Sequence, residues 1–318
     1  MEQDLRSLKN KARLQILAAA FIWGVTYLFQ SEGAQKVGPF FFNATRYWIG
    51  VLVLLPLAIK RNRDENGKVD FFKDEEYKSF LRMGILVDGT IMFVMITCQQ
   101  VGLKTASPGK AGFLVSLSTA FTPIILTIMG QKINKTQWLG VLAAIIGAAL
   151  MSLDPSSGVN FGDLLIIASA ILTSLNVIFG SYFNKRLESI SFVVFRFIHI
   201  ALLNTILSLV LEKTTIEMIK PALFSLLFTG IFSSGMANAL MSYALSFLDS
   251  FEVQKIFALE SIIGLGAAWA FTGYTLSLRE LVGGFIIFVA VMFMLFMEEK
   301  EFKKEVEEEI IEKYGDEE

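Results

Sequence analysis

The side chains that could do chemistry in this sequence are charges and polar rings set inside long apolar runs: Arg46, Asp88, Lys110, Arg196, His199, Glu260 and the indole of Trp23. An ionisable group near the centre of a bilayer costs about 2.5–3.5 kcal/mol on insertion scales, so each one is a functional hypothesis. Asp88 and Glu260 are the acids. A carboxylate there can hold a substrate ammonium or carry a coupling proton. Asp88, Met92, Met95 and Gln99 share one helical face by their spacing, which sets the carboxylate above a flexible thioether surface. Pairing of Asp88 with an arginine for assembly is the other reading, and a neutral, hydrogen-bonded packing role is the other reading of Glu260. Arg46 and Arg196 either present positive charge to an anionic substrate group or reach an interface on their long stems and hold neighbouring spans together. His199, one turn beyond Arg196, is a proton relay or a hydrogen-bonded packing residue.

Other chemistries are poorly served. One Cys (Cys98) and one His (His199) rule out a disulfide framework and a metal cluster built on His and Cys. The apolar runs contain no nucleophile–base pair, so no catalytic residue is assigned and an intramembrane enzyme is not expected. The formal charge of −2 gives no indication of nucleic-acid binding. It combines an acidic end, with 11 acids and 4 bases in residues 298–318, and a basic remainder.

The elements that must position these groups are membrane helices. Residues are 54% hydrophobic and 18% charged, a balance that water-soluble domains of this size rarely reach. Runs long enough to cross a hydrocarbon core of about 30 Å recur at 14–31, 39–59, 83–103, 108–130, 137–153, 162–182, 190–211, 222–245, 251–272 and 279–297. The first run is too long for the apolar part of a cleavable signal and is expected to stay in place. With the N-terminus inside, nineteen Lys and Arg fall on the cytoplasmic side and six on the other, so both termini are expected in the cytoplasm.

The chain also repeats itself. "FFFNATRYWIG" and "SFVVFRFIHIA" set Arg46 and Arg196 at matching points of runs two and seven. "TIMGQKINKTQWLGVLAAIIGAALM" matches "AFTGYTLSLRELVGGFIIFVAVMFM", pairing Gly130 with Gly273 and Gly140 with Gly283. Two halves of five runs each, 14–153 and 162–297, must enter the membrane from opposite sides, because five is odd; this is an inverted repeat. Asp88 aligns with Ile231 and Glu260 with Leu117, so both acids break the symmetry.

"LAAAFIWGVTYLF", "SPGKAGFLVSLSTAFTPII", "ALESIIGLGAAW" and the Gly-rich starts of runs five and ten, taken in order, resemble the EamA-type transporters of the drug/metabolite transporter superfamily. That resemblance implies export or exchange of small metabolites, often amino-acid-like, through a central cavity and without a covalent cofactor. It brings Trp23 forward as part of the opening motif and Lys110 as an outer gate, though Lys110, like Lys255, also reads as an interfacial anchor. Family members often carry a Glu after the glycine that ends runs four and nine, where this chain has Gln131 and Tyr274.

Some segments imitate other motifs. "GLKTASPGKAG" has six residues between Gly102 and Gly109 where a phosphate-binding loop needs four, so it reads as an interhelical loop. "GVLAAIIGAA" and "GGFIIFVA" read as close-packing surfaces, either within the chain or in a homodimer. Residues 298–318 read as a charged, solvated tail that extends run ten, with Phe302, Val306 and Ile310 on one face. The expectation is an all-α membrane protein of ten transmembrane helices, a multi-pass protein of the cell membrane and, for a bacterium, of its inner membrane. Its expected work is secondary transport of a small molecule by alternating access, with proton coupling through Glu260. A membrane sensor or channel is the alternative; isolated polar residues rather than continuous polar stripes count against a channel.

Overall fold

The computed structural model describes residues 2–130, 135–154, 158–184, 186–244, 248, 256 and 258–314. Its helices follow the apolar runs. α1 is Glu2–Lys36 and α2 is Pro39–Arg61. Pro39 suits a helix start because its missing N–H would have no partner there. α3 (Glu75–Gly102) opens on Asp74, whose carboxylate accepts from the Tyr77 amide, and α4 (Pro108–Ser116) opens on Ser107 in the same manner with Lys110. The "GLKTASPGKAG" stretch is therefore an interhelical turn and helix cap.

Run four is not continuous. It breaks at Leu117 into α4 and α5 (Ser118–Ile128), where the hydroxyl of Ser174 donates to the carbonyl of Ser118 at 2.7 Å. α6 (Lys135–Ser152) completes the first half. A minimal hairpin, Leu153–Asp154 paired with Gly158–Val159, joins the halves, and an isolated antiparallel bridge pairs Arg63 with Val69 in the α2–α3 loop.

The second half holds α7 (Phe161–Asn184), α8 (Ser189–Leu211) and α9 (Ile216–Phe228), then a π-helical segment, Thr229–Ala237, leading into α10 (Asn238–Ala244). α11 (Leu259–Thr272) and α12 (Leu278–Tyr314) follow, and α12 carries the backbone of the expected tail as a continuous helix. Gly130 and Gly273, matched in the repeat, both take positive φ (92° and 68°), so each stops its run with a backbone turn that side chains resist. Among the described residues eight helices are long and apolar enough to cross a membrane; the shorter apolar helices Gln137–Ser152 and Leu259–Thr272 take the places of runs five and nine.

Contacts between equivalent helices show the inversion. The Glu212 carboxylate, just past the end of α8, accepts from the amides of Phe40 and Phe41 at the start of α2 (2.9 and 2.7 Å). At the other end of α2, Arg61 meets Glu188 at 3.4 Å and Asn62 donates to Ser191 at 2.6 Å, both at the start of α8. α2 and α8, the helices that carry Arg46 and Arg196, thus run antiparallel. The same holds for α6 and α12, whose small-residue runs pack within the chain: a Cβ on Gly147 would lie 2.7 Å from the Gly283 carbonyl, and one on Gly140 would meet Ala290 and Met294. Around this core the outer side chains are apolar and bare, Ile128 and Leu209 at 80% exposure, as a hydrocarbon solvent requires.

Candidate functional site

The first cluster lies where α3, α7 and α8 meet. Asp88 is fully buried and pairs with Arg196, which is also buried. Asn176 of α7 donates to the second Asp88 carboxylate oxygen at 2.7 Å, and the Arg196 guanidinium stands over the Phe192 ring, 4.9 Å from its centroid. Gly180 keeps this corner open: a Cβ there would lie 3.6 Å from the Asp88 carboxylate. One turn along α8, the His199 imidazole meets the Thr90 hydroxyl at 3.2 Å. Asp88 and Arg196 cancel in charge at one point, with donor and acceptor groups beside them. Such a pair can open onto a ligand that carries both charges.

The second cluster forms around Arg46. Its guanidinium bonds the Tyr47 hydroxyl at 2.9 Å and lies 4.8 Å from that ring's centroid. Gln30, with its amide oxygen turned inward, accepts from Arg46, and the Gln100 amide donates to the Gln30 carbonyl at 3.0 Å. Tyr27, one turn before Gln30, sits in hydrogen-bonding reach of the Glu260 carboxylate while its ring packs against Gly264. Among the described residues no carboxylate forms an ion pair with Arg46, whose partners are Tyr47 and Gln30. Glu260 lies in the first turn of α11, and its aligned position, Leu117, is where α4 gives way to α5. Interrupted helices near the bilayer midplane are where transporters of inverted-repeat type build their sites.

Tyr47 and Phe197, the residues that follow the two arginines, touch edge to face with centroids 4.8 Å apart. Equivalent residues in contact mark the pseudo-two-fold axis, and the arginines flank it. The symmetry stops at their partners: Arg196 holds Asp88, while the position equivalent to Asp88 falls in the π-helical segment. There the Trp23 indole donates to the Ser233 carbonyl at 3.1 Å, and Asn238 donates to the carbonyls of Ser233 and Ser234 at 3.1 and 3.0 Å. Trp23 therefore satisfies backbone that a π-helix leaves open.

Lys110 is not a snorkelling anchor. Its ammonium lies 3.1 Å from Asp163 on α7, 3.2 Å from Glu280 on α12 and 3.4 Å from the Met151 carbonyl. Asp163, Glu280, Asn176 and Gln100 were not anticipated as partners. Asp163 and Glu280 sit in the first turns of their helices, where acids are ordinary cap residues, and the amides carry no charge to draw notice. Met92 and Met95 are partly buried and pack against the cluster that contains Tyr47 and Phe197. Gln131, Lys255 and the side chain of Tyr243 lie outside the described residues.

Comparison with known proteins follows from this architecture. The EamA-like transporter family matches twice, over residues 10–153 and 160–296. The chain belongs to the EamA-like transporter family. An uncharacterized transporter of Archaeoglobus fulgidus is 26% identical over 282 residues, covering 88% of this chain and 84% of that one. The uncharacterized inner membrane transporter YedA of Escherichia coli is 22% identical over 52% of each chain. A crystal structure superposes with a TM-score of 0.63 over 92% of this chain and 98% of its own, at 15% identity, which speaks for the fold alone. This EamA protein is a multi-pass membrane transporter, not an enzyme.

Proposed function

We propose that this EamA transporter exports or exchanges small metabolites, amino-acid-like zwitterions in particular, by rocking its halves around a site near the Tyr47–Phe197 contact, with both termini cytoplasmic. The carrying observation is the buried Asp88–Arg196 pair, held by Asn176 and absent from the symmetric position. A zwitterion can exchange into such a pair, its carboxylate taking Arg196 and its ammonium taking Asp88, so charge stays balanced throughout. Arg46 and the Met92–Met95 face supply the remaining walls, and Glu260, beside Tyr27, carries a coupling proton.

The test is counterflow in proteoliposomes with a panel of amino acids, their methyl esters and their N-acetyl derivatives. Zwitterions are expected to exchange, and removing either charge of the ligand to abolish exchange. Equal counterflow of esters and parent compounds rejects the substrate class. Glu260→Gln is expected to retain exchange and lose gradient-driven accumulation; an unchanged pH dependence sinks the coupling role.

A further inference from the structure

We infer that Lys110, Asp163 and Glu280 form a proton-binding latch between the halves, with the buried Asp163 carboxylate as the acceptor. Lys110 belongs to the first half, and Asp163 and Glu280 to the second. Their helices α4, α7 and α12 all begin on one face, the outer one by the Lys and Arg distribution. The inference rests on the alternating-access reading, since a latch acts only if the halves separate.

The site is built from charge that does not balance. Two carboxylates share one ammonium, leaving one excess negative charge. The carboxylates are not equivalent. Glu280 is satisfied: one oxygen faces Lys110, and the other accepts from the Ser277 amide and hydroxyl, both at 2.8 Å. Asp163 has no exposed surface, and only its Oδ2 is used, by Lys110 at 3.1 Å. Its Oδ1 is buried and has no hydrogen-bond partner among the described residues. A buried acceptor without a donor is unfavourable, and an ionised one more so. One proton on Asp163 Oδ1 removes the excess charge and turns the idle oxygen into a donor.

The other groups that face the cluster do not substitute for it. Tyr274, from the segment between α11 and α12, packs its ring on Gly109 and interacts with Ser107, Lys110, Asp163 and Glu280. It stays neutral across the physiological range and adds no charge. Met151 offers a carbonyl. Protonation therefore falls on one arm: the Lys110–Asp163 bond loses its ionic character while Lys110–Glu280 persists. The tie between α4 and α7 loosens, and the outer face opens more readily as the outside becomes acidic.

A reporter lies beside this tie. Ala106 is buried at the α3–α4 turn, where Gly162, next to Asp163, packs against its amide. In a Cys98→Ala background, Ala106→Cys is treated with a membrane-impermeant thiol reagent, at pH 8 and pH 5, in proteoliposomes. Rates are normalised to the same reagent on glutathione at each pH. The normalised rate is expected to rise about tenfold at pH 5, equivalent to about 1.4 kcal/mol of latch strength. Asp163→Asn should react at the fast rate at both pH values, Lys110→Gln should also be fast, and Glu280→Gln, which leaves one carboxylate to one ammonium, should lose the rise at pH 5. A flat profile in the parent, or a parental profile in Asp163→Asn, overturns the proton assignment. A slow rate in Lys110→Gln at both pH values overturns the separation of the halves itself, and with it the alternating-access reading.

Discussion

The Asp88–Arg196 pair makes a quantitative prediction about how the membrane core is held. Asp88→Asn leaves the Arg196 guanidinium buried and charged, facing a neutral amide and the Phe192 ring at 4.9 Å. Arg196→Gln leaves the Asp88 carboxylate with the Asn176 amide. Breaking one side of a buried ion pair costs about 3–5 kcal/mol; because each variant keeps one neighbour, the lower end, about 3 kcal/mol, is expected for each. The double variant carries no buried charge and two amides able to bond each other. It should lose only about 3 kcal/mol in total rather than the sum of the single losses, so the coupling is about 3 kcal/mol. The assay is equilibrium unfolding in mixed micelles with rising dodecyl sulfate, run on the parent, both single variants and the double variant. Losses that simply add would refute the argument, because they mean that the two charges are stabilised by something other than each other. Zwitterion counterflow on the same four proteins separates assembly from transport: the double variant should insert and yet fail to exchange.

Other features make smaller claims. Gly283→Ala places a Cβ 2.6 Å from the Gly147 carbonyl and should destabilise by about 1–3 kcal/mol in the same unfolding assay, whereas Gly266→Ala, with open space around it, should be neutral or stabilising. Trp23→Phe should weaken the fold by only about 1 kcal/mol, because Asn238 still donates to Ser233; Asn238→Ala, after which Trp23 still serves Ser233 but Ser234 has lost its side-chain donor, should lose about 1–2 kcal/mol. Burial pushes the Glu188 carboxyl up, but the Ser191 hydroxyl and the Ser191 and Ile190 amides, with Arg61 beside them, pull it below the usual carboxylate range. The stability it contributes is present above its unfolded-state pKa and is lost as pH falls through the lowered folded one. Glu188→Gln should cost about 1 kcal/mol near neutrality and flatten the acid limb of thermal stability; an unaltered acid limb would show that Glu188 does not report folding.

Much of the architecture could be read from residue order because lipid leaves few options. Apolar runs of about twenty residues must be helices, and the matched Arg46 and Arg196 reveal that α2 and α8 are equivalent. Helix interruptions were not legible in the same way. Leu117 is an ordinary helix former and does not by itself mark the point where α4 gives way to α5, beside which Ser174 of α7 donates to the Ser118 carbonyl. The π-helical segment depends on Trp23 and Asn238 supplying donors. The small-residue runs of α6 and α12 left two partners open, self and second copy; contact of Gly147 with Gly283 gives them an intramolecular role.

The sequence by itself determined a membrane protein of two repeated halves of opposite topology, since hydrophobic length and self-similarity are properties of order along the chain, and its motifs carried the resemblance to a transporter family. It also determined which positions carry charge that lipid disfavours. Only the tertiary structure decided who neutralises whom, Asp88 with Arg196 and Lys110 with Asp163 and Glu280, and that Tyr27 stands beside Glu260. Contact ion pairs and hydrogen bonds need atoms within a few ångströms of each other, and residues tens to hundreds of positions apart come within that range only when the helices pack.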